Sequence, residues 1–230
     1  QSQVSNRFFE LRDEERSDFL NYCLLEGQDR TVKTSYIDTF PKSIVNKVDS
    51  PDVGMGWSLN PYQGCEHGCV YCYARNSHEY WGYGAGIDFE SKILIKRSAP
   101  QLLEQKLKSK HWKAMPIAHS GNTDCYQPIE KTLKITRQLL QVFLKYRHPV
   151  GIITKNALIQ RDIDVLKELA EHNLVSVFIS VTSLSEETRR VLEPRTATIK
   201  KRLQTIERLN SAGIPTSVMM APIIPSINDG

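Results

Sequence analysis

From Trp57 onward the chain repeats one pattern, a short apolar run followed by an amphipathic stretch, and this alternation restricts the fold more than any other feature. "GWSLN", "MPIAHS", "VGIIT", "VSVFISVT" and "TSVMMAPII" are strand-length runs, some of them rich in β-branched residues. Four helical segments separate them. Ser98 stands as a candidate N-cap before "APQLLEQKLKS", with Pro100 in the first turn. "EKTLKITRQLLQVFLKYRH" places Ile135, Leu139, Val142 and Phe143 on one apolar stripe. "LIQRDIDVLKELAEHN" aligns Ile159, Ile163, Leu166 and Ala170 in the same way. "TIKKRLQTIERLNSAG" ends at Gly213, a natural left-handed cap, with Pro215 just beyond. The strand runs are continuous rather than alternating, which predicts strands covered on both faces. The expected fold class is therefore α/β with a parallel sheet, open or closed into a barrel. In either form ligands bind beyond the C-terminal ends of the strands.

Residues 1–56 lack this pattern. They are polar, with a helix candidate in "FFELRDEERSDFLNYCLLEG" and a turn-rich "VDSPDVGMGW". We read 1–56 as an N-terminal extension and 57–230 as the main domain, which the 230-residue length accommodates. The chain opens on Gln1 and stops just past its fifth strand run, so it is expected to be a fragment of a longer protein, truncated after that strand. Thirty basic against 26 acidic residues give +4, too mild a charge to argue for nucleic acid alone. No apolar run reaches membrane-spanning length and no signal-peptide pattern opens the sequence, so no membrane partner is expected. Five cysteines, three of them clustered, do not read as a disulfide framework and point to a reducing, cytoplasmic setting.

The cluster is "NPYQGCEHGCVYCYAR", in which Cys65, Cys69 and Cys72 follow the first strand directly. Three thiolates can hold three irons of a four-iron cluster and leave the fourth open to an exogenous ligand. An open metal position is the mark of chemistry rather than of structure. The competing reading is zinc held by the three cysteines and His67 or His78. Zinc sites favour cysteine pairs at two-residue gaps with a second pair elsewhere, and the sequence has no second pair. Unligated thiols clustered at a strand end would be a redox liability.

"CEHGCVYCY" resembles the C-x3-C-x2-C motif of radical S-adenosylmethionine (SAM) enzymes, with its aromatic before the last cysteine. "GNTDCYQPIE", "IITKN", "LEPRT" and "APIIPSIND" resemble, in order, segments of the spore photoproduct lyase-like branch, also described as DNA repair photolyase-like. The resemblance runs from about Ser50 to the end. It implies a partial (β/α)6 barrel carrying a [4Fe–4S] cluster at its top. SAM would chelate the open iron through its amino and carboxylate groups. Reductive cleavage would then give a 5′-deoxyadenosyl radical that takes a hydrogen atom from substrate. A low-potential electron donor such as flavodoxin or ferredoxin is implied with it.

Carried over by position, the resemblance implies Cys65, Cys69 and Cys72 as cluster ligands. It implies Tyr71, and by symmetry Tyr73, as aromatics beside the adenine. After the second strand it favours Thr123 and Asp124 for the SAM ammonium, although both residue types also suit a capping turn. Lys155 ends the third strand and matches a position that meets the SAM carboxylate. Ser180 interrupts the fourth strand, as does Thr182, and faces either the ribose or the core. Arg195 would supply a second cation for the carboxylate or pair with Glu193. Ala221 and Pro222 would offer backbone and apolar surface to the adenine. Glu130 is expected to hold the loop or cap the following helix.

One departure matters. Where the lyase pattern has a hydrogen-donating cysteine, this chain has Gly121, and the nearest thiol is Cys125, either a shifted donor or an idle core residue. Lesion reversal by that route is therefore not expected. Cys23 has no partner that sequence can name. Lys131, Lys134, Arg137, Lys145 and Arg147 form either a solvated helix face or a nucleic-acid surface, and "HEYWGYG" either stacks a base or shields the site. Three functions compete. The first is a radical SAM enzyme acting on nucleic acid. The second is one modifying a peptide, RNA or small molecule. The third is a non-catalytic Fe–S or zinc module.

Overall fold

A computed structural model describes residues 33–49 and 56–229. The proposed helix within 8–27, Cys23 and most of the turn-rich segment before Gly56 lie outside the described residues.

The main sheet has six strands in the order β2 (Val45–Lys47), β3 (Trp57–Leu59), β6 (Ile117–His119), β7 (Val150–Thr154), β8 (Val175–Ser180) and β9 (Thr216–Met219). β2 pairs with β3 antiparallel; every later pair is parallel. Each parallel strand lies beside its predecessor in sequence. Right-handed crossovers in that order put every helix on one side of the sheet and leave the other side as the inner wall of an open barrel. The barrel alternative, not the doubly wound one, is the architecture present.

The outer wall carries the core. Leu59, Ile152 and Val177 fall in one cross-strand row and pack, fully buried, with Leu103, Leu139, Phe143, Leu166 and Leu209 from the helices. These helices are α2 (Ala99–Lys108), α4 (Ile135–Lys145), α5 (Ile163–Glu171) and α7 (Ile199–Ser211). The expectation of strands covered on both faces holds for β6 and β7 and fails at β8 and β9. The inner-wall row of Ser58, Ala118, Gly151 and Ser176 is small, the next row brings Ile153 and Phe178, and Ser176 and Ser217 are solvent-exposed.

Other departures have local causes. The helix expected from Glu130 breaks at Lys134, which adopts φ 54°, separating α3 (Glu130–Leu133) from α4. The buried Glu130 carboxylate causes the break: it accepts the Thr136 N–H at 3.1 Å, an Arg161 guanidinium at 2.7 Å and the Tyr62 hydroxyl. It thus both holds the loop and caps the helix. Ser98 occupies the N-cap position of α2 but makes no side-chain cap bond. Ala157–Asp162 is a 3-10 turn before α5 rather than part of it. A second sheet, not evident in the sequence pattern, joins β1 (Ser35–Asp38), β5 (Lys92–Ile95) and β4 (Tyr62–Gln63). It brackets the cysteine loop. Short α1 (Ile87–Ser91) leads into β5, and α6 (Glu186–Leu192) follows β8. Among the described residues no helix is long and apolar enough to cross a membrane.

Candidate active site

The strands end on one cavity of about 380 Å³. Cys65, Cys69, Tyr71, Cys72 and Tyr73 line it from the loop after β4. Ser120, Gly121, Thr123 and Asp124 follow β6, Thr154 and Lys155 end β7, Ser180 ends β8, and Met219, Ala221 and Pro222 follow β9. This is the C-terminal edge of the parallel strands. All three cysteines are free thiols. Burial pushes the Cys69 thiol well up; Lys155 draws it back, while Glu193, Cys65 and Cys72 add to the rise. Burial raises Cys72 as well. Cys65, Cys69 and Cys72 together are a thiol donor set of the kind that a cationic iron centre would bind as thiolates.

The other expected residues divide into three groups. Lys155 reaches the cavity with its ammonium 5.9 Å from the centre of the Tyr71 ring, and it forms no ion pair among the described residues. Ser180 is 1% exposed and its hydroxyl has no hydrogen-bond partner among the described residues. An orphaned buried hydroxyl facing a cavity awaits a polar group. The Tyr71 hydroxyl donates to Glu193, and the exposed Tyr73 donates to the Gly121 carbonyl.

Thr123 and Asp124 line the cavity, but their side chains are engaged within the protein. The Thr123 hydroxyl donates to the Tyr62 carbonyl at 2.7 Å. Asp124 accepts the Thr154 hydroxyl and the Lys155 and Tyr126 N–H groups, each at 2.8 Å, and faces His67 Nδ1 at 3.3 Å. Burial opposes its charge, yet His67 and those N–H groups outweigh burial and hold its pKa at about 2. Asp124 is the hub that ties the cysteine loop to the strand ends.

Cys125 and Arg195 are not brought to the cavity. Cys125 is 0% exposed and belongs to the apolar core, where burial keeps its thiol protonated. Asp124 Oδ1 accepting the Tyr126 N–H makes an Asx turn that carries Cys125 away from the site. Arg195 pairs with Glu90 and donates to the Glu66 carbonyl, not to Glu193. Glu193 instead pairs with the fully buried Arg202 and accepts Thr182 at 3.0 Å. Burial raises the Glu193 pKa, but Arg202, Lys155 and the Tyr71 bond more than reverse it and hold it low. Sequence reading missed Arg202 and Asn60, whose Oδ1 accepts the Asn122 and Thr123 N–H groups. It weighed His67 only as a metal ligand. None of them carries a local sequence signal, since their partners lie far along the chain.

The radical SAM superfamily model matches residues 59–230. The chain belongs to the radical SAM superfamily. Members of this superfamily use a [4Fe–4S] cluster and S-adenosylmethionine. The three thiols, the unpaired Lys155 and the orphaned Ser180 hydroxyl fit those groups. An uncharacterised protein of Mycobacterium tuberculosis is 32% identical over 82% of this chain and 56% of its own length. Another, of Methanocaldococcus jannaschii, is 31% identical over 86% of this chain and 71% of its own. Among solved structures, spore photoproduct lyase complexed with dinucleoside spore photoproduct superposes with a TM-score of 0.61 at 15% identity, over 97% of this chain and 57% of that one. A variant of that lyase with bound AdoMet and the same photoproduct gives 0.60 at 14% identity, over 90% and 63%. At such identity the likeness speaks to fold. The chain spans just over half the length of the mycobacterial relative and of the lyase.

Proposed function

We propose that residues 57–230 are the barrel of a radical SAM enzyme acting on nucleic acid, with the cluster and SAM supplying a 5′-deoxyadenosyl radical for hydrogen abstraction. The observation that carries the chemistry is the meeting of three free thiols, an unpaired lysine and an orphaned serine hydroxyl in one cavity at the strand ends. In this reading Cys65, Cys69 and Cys72 hold the cluster. Lys155 neutralises the SAM carboxylate, Ser180 accepts or donates a ribose hydrogen bond, and the Tyr71 ring with Ala221 and Pro222 receives the adenine. Thr123 and Asp124 position the loop rather than bind the ammonium directly. Cys125 serves packing. Without a thiol at Gly121, a product radical would be quenched by a donor other than the one the lyase pattern uses.

Nucleic acid is the favoured substrate class on two grounds. The fold is that of a lyase solved with a dinucleoside photoproduct. Tyr73 and Tyr80, 76% and 93% exposed, rise from one 3-10 helix, Tyr73–Trp81, whose first residue lines the cavity. Exposed aromatics beside an active site suit base stacking. The helix-face cations contribute less, since Arg137 pairs with Asp162 and Asp164 and Lys145 with Glu104. A low-potential donor of the flavodoxin or ferredoxin class would deliver the electron.

Anaerobic reconstitution with iron and sulfide, then addition of SAM and dithionite, tests the chemistry: 5′-deoxyadenosine is expected, and a protein saturated with tetrahedral zinc would overturn it. Binding of single-stranded DNA should weaken with rising salt; binding without a salt slope, or none, counts against nucleic acid and for a peptide or small-molecule substrate.

A further inference from the structure

Arg195 points away from the cavity it was expected to serve, and its actual partners form a device of their own. The carboxylate of Glu90, on α1 and only 15% exposed, binds two guanidinium groups. Its Oε1 accepts Arg75 Nη2 at 2.5 Å, and its Oε2 pairs with Arg195 Nη2. Each arginine then reaches the backbone of the cysteine loop. Arg75 donates to the Cys69 carbonyl through Nε at 3.2 Å and Nη2 at 2.9 Å. It is steadied by the Ala85 and Gly86 carbonyls at 3.4 and 3.1 Å. Arg195 donates through Nε to the Glu66 carbonyl, and its own N–H donates to the His67 carbonyl at 3.3 Å. One carboxylate thus sets two cations against the backbone of the cysteine loop, one between the first and second cysteines and one at the carbonyl of the second.

Gly68 makes this contact sterically feasible. It adopts φ +64°, and a Cβ there would lie 2.0 Å from Arg195 Nη2 and 2.7 Å from Glu90 Oε2. The glycine in "CEHGC" therefore answers to the arginine as well as to the turn.

We propose that Glu90, Arg75 and Arg195 are positioning residues that clamp the Cys65–Cys69 loop and so fix where its thiols stand relative to a bound iron–sulfur cluster; this rests on the functional reading above. The bonds are charge-assisted and Glu90 is largely buried, the conditions under which such bonds hold geometry most firmly. Groups around a metal's direct ligands set ligand orientation and tune the metal. Removing the Glu90 charge leaves two guanidiniums facing each other with no counterion, so the loop loses both anchors together.

The test uses the Glu90→Gln variant with two readouts. Hydrogen exchange of the metal-free protein should show amides in 65–72 exchanging about tenfold faster or more, with β7 unchanged. After anaerobic reconstitution the variant should hold less iron per chain and give a broadened or shifted EPR signal on reduction. Arg195→Lys should recover part of both readouts and Arg195→Met neither. Unchanged loop exchange, or a reduced cluster with wild-type iron content and spectrum, overturns the clamp. A wild-type protein that takes up no cluster overturns the cofactor reading instead; the exchange measurement still decides whether the loop is clamped.

Discussion

The two walls of the sheet do opposite work. On the outer wall Leu59, Ile152, Val177 and Ile179 are buried to within 1% and meet the helices. On the inner wall a row of small residues is followed by Ile153 and Phe178, and at the upper edge Ser180 is left with a hydroxyl unpartnered among the described residues. Fold stability is concentrated on one face, while chemistry is concentrated at the rim of the other. A face that must admit ligand cannot also be packed shut. The contrast predicts that outer-wall changes act on stability, while rim changes act on cofactors and leave the chain folded.

The largest expected effect is at the rim. Cys69→Ala should abolish cluster uptake, measured as iron and sulfide per chain, while the metal-free variant melts cooperatively near the wild type. Unfolding of that variant would break the comparison. Next comes the outer wall: Ile152→Ala should cost about 2–5 kcal/mol in chemical denaturation. A loss below about 1 kcal/mol would show that this wall is not the core.

His119 sharpens the contrast through pH. It lies on the outer wall, 0% exposed, beside the Leu59 backbone, which opposes the shift only weakly. Burial lowers its pKa from 6.5 to about 4. As pH falls below 6.5 the unfolded chain takes up the proton first, so stability drops between pH 6.5 and 4 and is fully present above. The total is about 3 kcal/mol at about 1.4 per pKa unit. Wild type minus His119→Leu in that window should show the slope; parallel curves would remove His119 as its source.

A smaller effect is expected at Ser180. Ser180→Ala should weaken SAM binding about tenfold, the worth of one buried hydrogen bond, without lowering the melting temperature. Smallest is Ser217→Ala on the exposed inner wall, within about 0.5 kcal/mol of wild type.

Much of this division was legible in the sequence. Strand runs ending in Lys155 and Ser180 carry their own signal, because a polar residue closing a buried strand stands out against its neighbours. So does the spacing of Cys65, Cys69 and Cys72. What could not be read was pairing over distance. Tyr71 meets Glu193 and Arg195 meets Glu90, partners more than a hundred residues apart. Arg195 looked like a ligand contact because sequence gives residue type but not direction. Cys125 could be read as a shifted donor or an idle core thiol, and sequence could not decide between them, because the Asx turn that carries it into the core depends on a hydrogen bond, not on composition. The strands β1 and β2 were invisible for the same reason: they are short, largely exposed and lack an apolar run, so only their partners define them.

The closeness of Gly68 to Arg195 reaches beyond this molecule. Two positions at opposite ends of the barrel domain share a space that admits one bulky group. A side chain at 68 meets Arg195 first, then Glu90 Oε2, and carries the strain of a φ of +64° as well, so a smaller residue at 195 removes only one of three obstacles. Gly68→Ala alone should destabilise the loop, and shortening residue 195 alongside it should restore only part of the loss, because Glu90 Oε2 and the left-handed backbone at 68 remain.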